Sequence, residues 1–199
     1  MVDGALQTTN FAKFQTRNPV VRRLIDRFFE RMREIVEPLG AESVLDAGCG
    51  EGETLARLGD VLGERVAAID ILDECVAYTK QRLPHVDAST ASVYELPFDD
   101  RSFDLVLCLE VMEHLDRPAD ALRELSRVSR GELVVSVPYE PYFRLGSLMR
   151  GKYVRGLGDH PEHVNHWNRR SLPAFLQAQV DVAEVGVAFP WLIARCRLR

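Results

Sequence analysis

Two groups of residues in this chain have the types and the spacing to do chemistry. The first is Val44-Leu45-Asp46-Ala47-Gly48-Cys49-Gly50-Glu51-Gly52, followed by Asp70 at the end of the next apolar run. Glycines after a short apolar strand let a ligand lie against bare backbone and meet the free N–H groups of a helix start. An acid about 20 residues further on is placed to accept hydrogen bonds from both hydroxyls of a ribose. A nucleotide-type ligand is implied. The spacing narrows it: glycines at 48, 50 and 52 make GxGxG, not the GxGxxG of dinucleotide sites, and Asp46 would repel a pyrophosphate. Both features disfavour an NAD-dependent oxidoreductase.

A ligand with an ammonium group, a carboxylate and a ribose but no phosphate tolerates Asp46, and S-adenosylmethionine has that set. The second group is Glu110, Glu113 and His114 in Leu109-Glu-Val-Met-Glu-His-Leu115. If this segment opens a helix, the two carboxylates share one face. Placed so close, they favour a cation between them, or else one raised pKa. Further on, Asp159-His160-Pro-Glu162-His163-Val-Asn-His166-Trp167 holds three of the chain's five histidines. Two readings stand for this stretch. In one, His163 or His166 caps and packs the helix that follows. In the other, His163 joins Glu110, Glu113 and His114 in a site for Mg²⁺, Mn²⁺ or Zn²⁺, which carboxylates with neutral imidazoles suit. Without a metal, His114 or His163 is a candidate general base, with Glu113 beside them.

These residues need elements to position them. Asn18-Pro19 opens an amphipathic helix whose apolar residues, Val21 to Val36, recur at three- and four-residue steps up to Pro38-Leu39-Gly40. The pattern then alternates. Strands are expected at 43–47, 65–70, 88–93, 103–109 and 132–137. Helices are expected at 53–62, after Asp70 through Leu83, and at 118–130, where Gly131 would stop the last one. Strand 103–109 is continuously apolar and so buried on both faces. This β-α-β-α order specifies a parallel sheet with helices on both faces. From Tyr139 to Arg170 the chain is rich in Gly, Pro and His, with one short helix expected at 142–148. Such a long irregular insertion is usually functional. Ser171 is expected to cap a helix to Gln179, and 182–188 with 192–198 to form a terminal antiparallel pair.

Composition excludes other classes. The 199 residues are 46% hydrophobic and 28% charged, which suits one globular domain and rules out disorder. That domain divides into a helical cap (1–40), a ligand-binding core (41–138), the insertion (139–170) and a final helix with two strands (171–199). No apolar run approaches the ~20 residues of a membrane span, and MVDGALQTTN is no signal peptide. Cys49, Cys75, Cys108 and Cys196 form no CxxC pair and sit in apolar segments, so a reducing compartment, the cytoplasm, is expected. A net charge of −5 argues against a nucleic-acid partner. The basic run Arg144, Arg150, Lys152 and Arg155 reads as a solvated loop or, alternatively, as an anion-steering patch.

Residues 43–137 resemble the class I S-adenosylmethionine-dependent methyltransferases (type 11/12-like), on VLDAGCGEG (44–52), VAAID (66–70), ELPFDDRSFDLVLCLEVMEHL (95–115) and ELVVSVP (132–138). The resemblance implies a Rossmann-like seven-stranded sheet with a C-terminal antiparallel pair. It further implies that Asp46, Gly48, Cys49, Gly50 and the loop to Gly52 surround the methionine part of the cofactor. Asp70 would hold the ribose, Ile71 would pack on the adenine, and Leu109 would complete the set. Where the family often has an Asp for the adenine amino group, this chain has Ser92, with the Val93 backbone beside it. More narrowly, ExxEH with a distant histidine before Trp167-Asn-Arg169 is similar to metal-dependent 2′-O-methyltransferases of small-RNA 3′ ends and to quinone-pathway O-methyltransferases. The activity implied is O-methylation of a small-molecule hydroxyl with divalent-metal assistance, by a monomer or homodimer. N- or C-methylation of a metabolite, RNA 3′-end 2′-O-methylation, and an inactive cofactor-binding module are the alternatives. Tyr139, Tyr142, Phe143 and Trp167 are candidate walls of the acceptor pocket, and by fold analogy Phe11 and Phe14 belong to a lid.

Overall fold

A computed structural model describes Phe14, residues 16–149 and residues 163–199. Helix α1 (Pro19–Val36) starts at Asn18, whose Oδ1 accepts from the N–H groups of Val20 and Val21 at 2.9 and 3.3 Å. Two of the helix's free donors are thereby satisfied. Its buried face carries Ile25, Phe28, Phe29, Met32, Ile35 and Val36, at helical spacing.

Seven strands follow: β1 (Ser43–Ala47), β2 (Arg65–Asp70), β3 (Asp87–Thr90), β4 (Phe103–Leu109), β5 (Ser129–Pro138), β6 (Asp181–Ala188) and β7 (Trp191–Arg197). Between them lie α2 (Glu53–Leu58), α3 (Asp73–Arg82), a 3-10 turn at Met112–His114, α4 (Pro118–Val128), α5 (Tyr142–Met149) and α6 (Ser171–Leu176). The sheet order is β3-β2-β1-β4-β5-β7-β6. All neighbours are parallel except β5–β7 and β6–β7. One face packs against α4 and α6 through residues such as Leu122, Leu125, Leu172 and Leu176. The α1 side packs Phe28, Met32 and Trp191 over Val44, Leu107 and Ile193. From β1 the chain runs outward to β3, then returns to lay β4 on the other side of β1. The β1–β4 boundary is therefore a topological switch point, where open α/β sheets leave a crevice beyond the strands' carboxyl ends.

Several boundaries differ from the sequence reading. The helix after the glycine loop stops at Leu58, not Leu62. The Arg33 guanidinium takes the Arg57 carbonyl at 3.0 Å and grips Asp60 with two bonds of 2.7 Å, which turns the chain there. Helix α4 ends at Val128, and Gly131 is no helix stop. It lies within β5, where a Cβ would stand 3.0 Å from the Asp104 carbonyl, beside the register shift between Phe103 and Leu105. Strand β3 ends at Thr90, and Ser92 bridges Glu95 in a turn instead. Ser171 is not the N-cap of α6, which ends at Leu176. Asn168 Oδ1 accepts from the Arg170 and Ser171 N–H groups, while Ser171 Oγ accepts from Asn168 N–H. Among the described residues, no helix is long and apolar enough to cross a membrane.

Candidate functional site

Beyond β1 the backbone folds across onto β2: the N–H groups of Gly48 and Cys49 both donate to the Ile69 carbonyl, at 2.8 and 2.9 Å. Gly50 N–H donates to Asp70 Oδ2 at 2.8 Å, and Thr79 Oγ1 donates to the Gly50 carbonyl at 3.0 Å. Gly48, Gly50 and Gly52 all have positive φ, at 88°, 51° and 70°. At Gly48 space decides as well as conformation, because a Cβ there would meet Val111 Cγ2 at 2.3 Å. The glycine loop is thus pressed against the segment that follows β4, at the switch point.

Asp70 has its Oδ1 on Leu72 N–H at 3.0 Å and its Oδ2 on Gly50 N–H. A carboxylate offers about four acceptor positions, so two remain for a diol. Ile71 beside it is 67% exposed, a flat apolar surface next to the acid. Asp46 is buried on β1, its Oδ2 without a hydrogen-bond partner among the described residues. Burial, and then the like charge of Asp70, push its carboxyl up to about 7. An orphaned buried acid with glycine backbone next to it fits a ligand that brings a donor and a positive charge. Cys49 is buried, and desolvation together with Asp46 and Asp70 raises its thiol far above the ordinary range, so it is an inert neighbour. Ser92 Oγ accepts from Tyr94 N–H at 3.2 Å, while the Val93 and Leu109 side chains pack into the two core faces. A partly open cleft runs along this loop, walled on the α1 side by Phe14, Phe28, Phe29 and Trp191.

Glu110, Glu113 and His114 do not share a helical face. Glu110 has φ 58° and precedes the 3-10 turn. Its Oε2 accepts from Trp191 Nε1 at 2.6 Å and its Oε1 from Ser136 Oγ at 3.2 Å, so it lines the aromatic cleft. This left-handed residue separates the four expected ligands. Glu113, His114 and His163 do come together: each offers one ligand atom, and the three atoms lie within 4.8 Å of one another. The two imidazoles stand 5.0 Å apart at 71°, with Phe143 5.6 Å from His163. Glu113 is buried, His163 half-buried and His114 exposed.

Hydrogen bonds from the end of the insertion hold that grouping. The N–H groups of Val164 and Asn165 donate to the Glu113 carbonyl at 2.9 and 3.1 Å. Asn165 Nδ2 donates to the carbonyls of Met112 and Leu115 at 3.2 and 2.7 Å. Asn165, Val111 and Trp191 are residues that sequence reasoning missed, since none carries a chemical signature of its own. Tyr139 and Tyr142 meet edge to face with ring centroids 4.9 Å apart, whereas Trp167 is buried against Phe175 and belongs to the core rather than to a pocket wall. His166 is exposed. Phe11, Arg150, Lys152, Arg155, Asp159, His160 and Glu162 lie outside the described residues.

Residues 45–135 match the methyltransferase domain family. A probable S-adenosylmethionine-dependent methyltransferase of Mycobacterium tuberculosis is 36% identical over 161 residues, 80% of this chain and 54% of that protein. The ubiquinone biosynthesis O-methyltransferase of Xanthomonas oryzae is 31% identical over 158 residues, 74% of this chain and 64% of that protein. The chain thus spans about half the length of the mycobacterial relatives it matches. In structure it resembles magnesium protoporphyrin IX methyltransferase from Synechocystis, solved with bound SAH. There the TM-score is 0.72 over 96% of this chain and 95% of that one, at 17% identity, a likeness of fold. With its strand order, its glycine loop and these relatives taken together, the chain belongs to the class I S-adenosylmethionine-dependent methyltransferases.

Proposed function

We propose that the chain transfers a methyl group from S-adenosylmethionine to a hydroxyl of a small molecule. The observation that carries this reading is the meeting of two features beyond the carboxyl ends of the central strands. One is a left-handed glycine loop tied to Asp70 beside an orphaned Asp46; the other is the Glu113–His114–His163 grouping. When bound, the donor supplies an activated methyl on sulfur. Asp70 accepts from the ribose, the 48–52 backbone and Asp46 hold the methionine part, Ile71 covers the adenine, and Ser92 with the Val93 backbone serves the ring edge. Methyl transfer is a direct displacement that gains most from alignment. A hydroxyl acceptor also has to lose a proton, and His114 or His163 takes it, contributing roughly 10²–10⁴-fold.

A divalent cation (Mg²⁺, Mn²⁺ or Zn²⁺), where bound, would be held by Glu113, His114 and His163, and would supply Lewis acidity that lowers the acceptor's pKa. Tetrahedral bonds of about 2.0–2.2 Å put ligand atoms ~3.3–3.6 Å apart. Atoms spread over as much as 4.8 Å would then have to draw together by roughly 1 Å. The acidic composition favours a metabolite over nucleic acid, and the four buried free thiols suit a reducing compartment such as the cytoplasm.

The test has two parts. Calorimetric titration with S-adenosylmethionine and with NAD should show binding of the first alone. Methyl transfer to a panel of phenols, catechols and matched amines, with Mn²⁺ or with EDTA, should then show hydroxyl products. Loss of transfer by about 10²-fold or more in His114→Ala or His163→Ala, with donor affinity kept, is expected. Transfer to amines alone would overturn the hydroxyl assignment, and full activity in EDTA would remove the metal.

A further inference from the structure

Several large apolar side chains stay exposed next to the candidate site. Tyr142 and Leu145 stand three residues apart on α5, 44% and 54% exposed. Val187 near the end of β6 and Phe189 in the turn beyond it are 37% and 50% exposed. A backbone hydrogen bond joins the two segments: Tyr139 N–H donates to the Pro190 carbonyl at 2.9 Å. The Tyr142 and Phe189 rings are then 6.0 Å apart.

A line of rings leads from the imidazoles to this strip. His163 stands 5.6 Å from Phe143, whose N–H donates to the carbonyl of Tyr139 one helical turn earlier. Tyr139 meets Tyr142 at 4.9 Å, and Tyr142 meets Phe189. Phe189 in turn stands at a groove between β6 and α1, lined by Val187, Arg31 and Glu34 among others. Arg31 is held there by Glu34 at 2.8 Å and by Glu184, so its charge is answered within the chain. Contiguous exposed apolar side chains mark a surface that binds something, and this one covers roughly a few hundred Å². A stable protein interface takes about 800 Å² from each partner. The strip is too small for that, and it begins at His163.

We infer that the acceptor carries an apolar extension beyond its hydroxyl, and that Tyr142, Leu145, Phe189 and Val187 seat this extension while His114 and His163 face the hydroxyl. This rests on the acceptor reading above and names the class of molecule that it left open. Each methylene laid on the strip is worth about two- to fourfold in affinity. The extension is gripped equally before and during methyl transfer, so it lowers KM and leaves kcat nearly unchanged.

Methyl, butyl and octyl 3,4-dihydroxybenzoate share one catechol and differ only in chain length. With the full chain, KM should fall by about 30-fold or more from the methyl to the octyl ester, with kcat within about twofold. Phe189→Ser and Leu145→Ser change exposed positions, and each should cut that ratio by about threefold or more. Binding of S-adenosylhomocysteine checks that each variant is folded. Calorimetry of the same esters with the chain saturated by S-adenosylhomocysteine reads the ratio without turnover.

Equal KM and equal affinity for the methyl and octyl esters would overturn the inference, and methyl transfer to both would leave the hydroxyl reading intact. A ratio that persists in both variants would overturn it as well. Tighter octyl binding that the variants lose, with no transfer to any ester, would support the strip and overturn the hydroxyl reading instead. Sedimentation velocity and flotation with phosphatidylcholine vesicles address the other occupants. A dimer that Phe189→Ser dissociates, or vesicle binding that it abolishes, would give this face to a second copy or to lipid and overturn the inference. Failure to bind any ester would overturn both readings.

Discussion

At the scale of single residues, the site depends on positions where one atom more or less decides. Gly48 combines φ 88° with a Cβ direction that runs into Val111 at 2.3 Å. Gly48→Ala should therefore cost about 1–3 kcal/mol in backbone strain before the clash is counted. A melting temperature lower by several degrees and a large loss of donor affinity are expected. Adding Val111→Ala should restore part of the stability, since it removes the clash and leaves the strain. Asp46 works in the opposite sense. Its carboxyl is raised from 3.8 to about 7 in the folded chain, so the folded state holds the proton more tightly than the unfolded one. Ionising it penalises folding progressively as pH rises from about 4 to 7. Asp46→Asn should then be more stable than the wild type at pH 8, by at most about 4 kcal/mol, and gain little at pH 4. Thermal melts at the two pH values give the difference. An equal effect at both would mean that the carboxyl is not held neutral by burial.

At the scale of elements, the Glu113–His114–His163 grouping is made by docking, not by helical spacing. The 3-10 turn at Met112–His114 presents two carbonyls, and Asn165 spans Met112 and Leu115 with one amide while two backbone N–H groups take Glu113. That brings His163 to His114 across many intervening residues of chain. Asn165→Ala takes its donor from the Leu115 carbonyl and one of two donors from the Met112 carbonyl, which keeps Leu115 N–H, at a cost of about 1–3 kcal/mol. It should lower kcat with little change in donor affinity, because the glycine loop and Asp70 do not depend on it. A matched fall in donor affinity would show the two halves of the site to be more tightly joined than these contacts indicate.

At the scale of the molecule, the sheet is held in register where three neighbouring strands meet at their starts. Asp104 of β4 accepts from Ser43 N–H and Oγ on β1 at 2.9 and 2.8 Å, and from Arg130 Nε on β5 at 2.6 Å. The Arg130 bond above all, helped by the two Ser43 bonds, outweighs the desolvation cost and holds its carboxyl well below the ordinary carboxylate range. A depressed acid contributes stability that is present above its unfolded value of 3.8 and lost as pH falls below it. The wild type should thus lose stability between pH 5 and 3 more steeply than Asp104→Asn in chemical unfolding. The group is partly exposed, so the difference is modest.

Much of this was open to reading along the chain. The alternation of strand and helix, the left-handed glycines and Asp70 at the end of β2 follow from short-range patterns, and local physics acts on neighbours in sequence. Periodicity failed where a partner far away ended an element. Arg33 stops α2, and pairing with β4 turns Ser129 and Arg130 into strand. Glu110 is set apart from Glu113 because it is itself left-handed and Trp191 of β7 holds its side chain. Residue types and local spacing alone thus determined that a glycine loop with an acid after it, and a set of acids and imidazoles, exist in this chain. Which of them meet was decided only in three dimensions, because hydrogen bonds between distant segments, such as those of Asn165 and Trp191, have no period along the sequence to betray them.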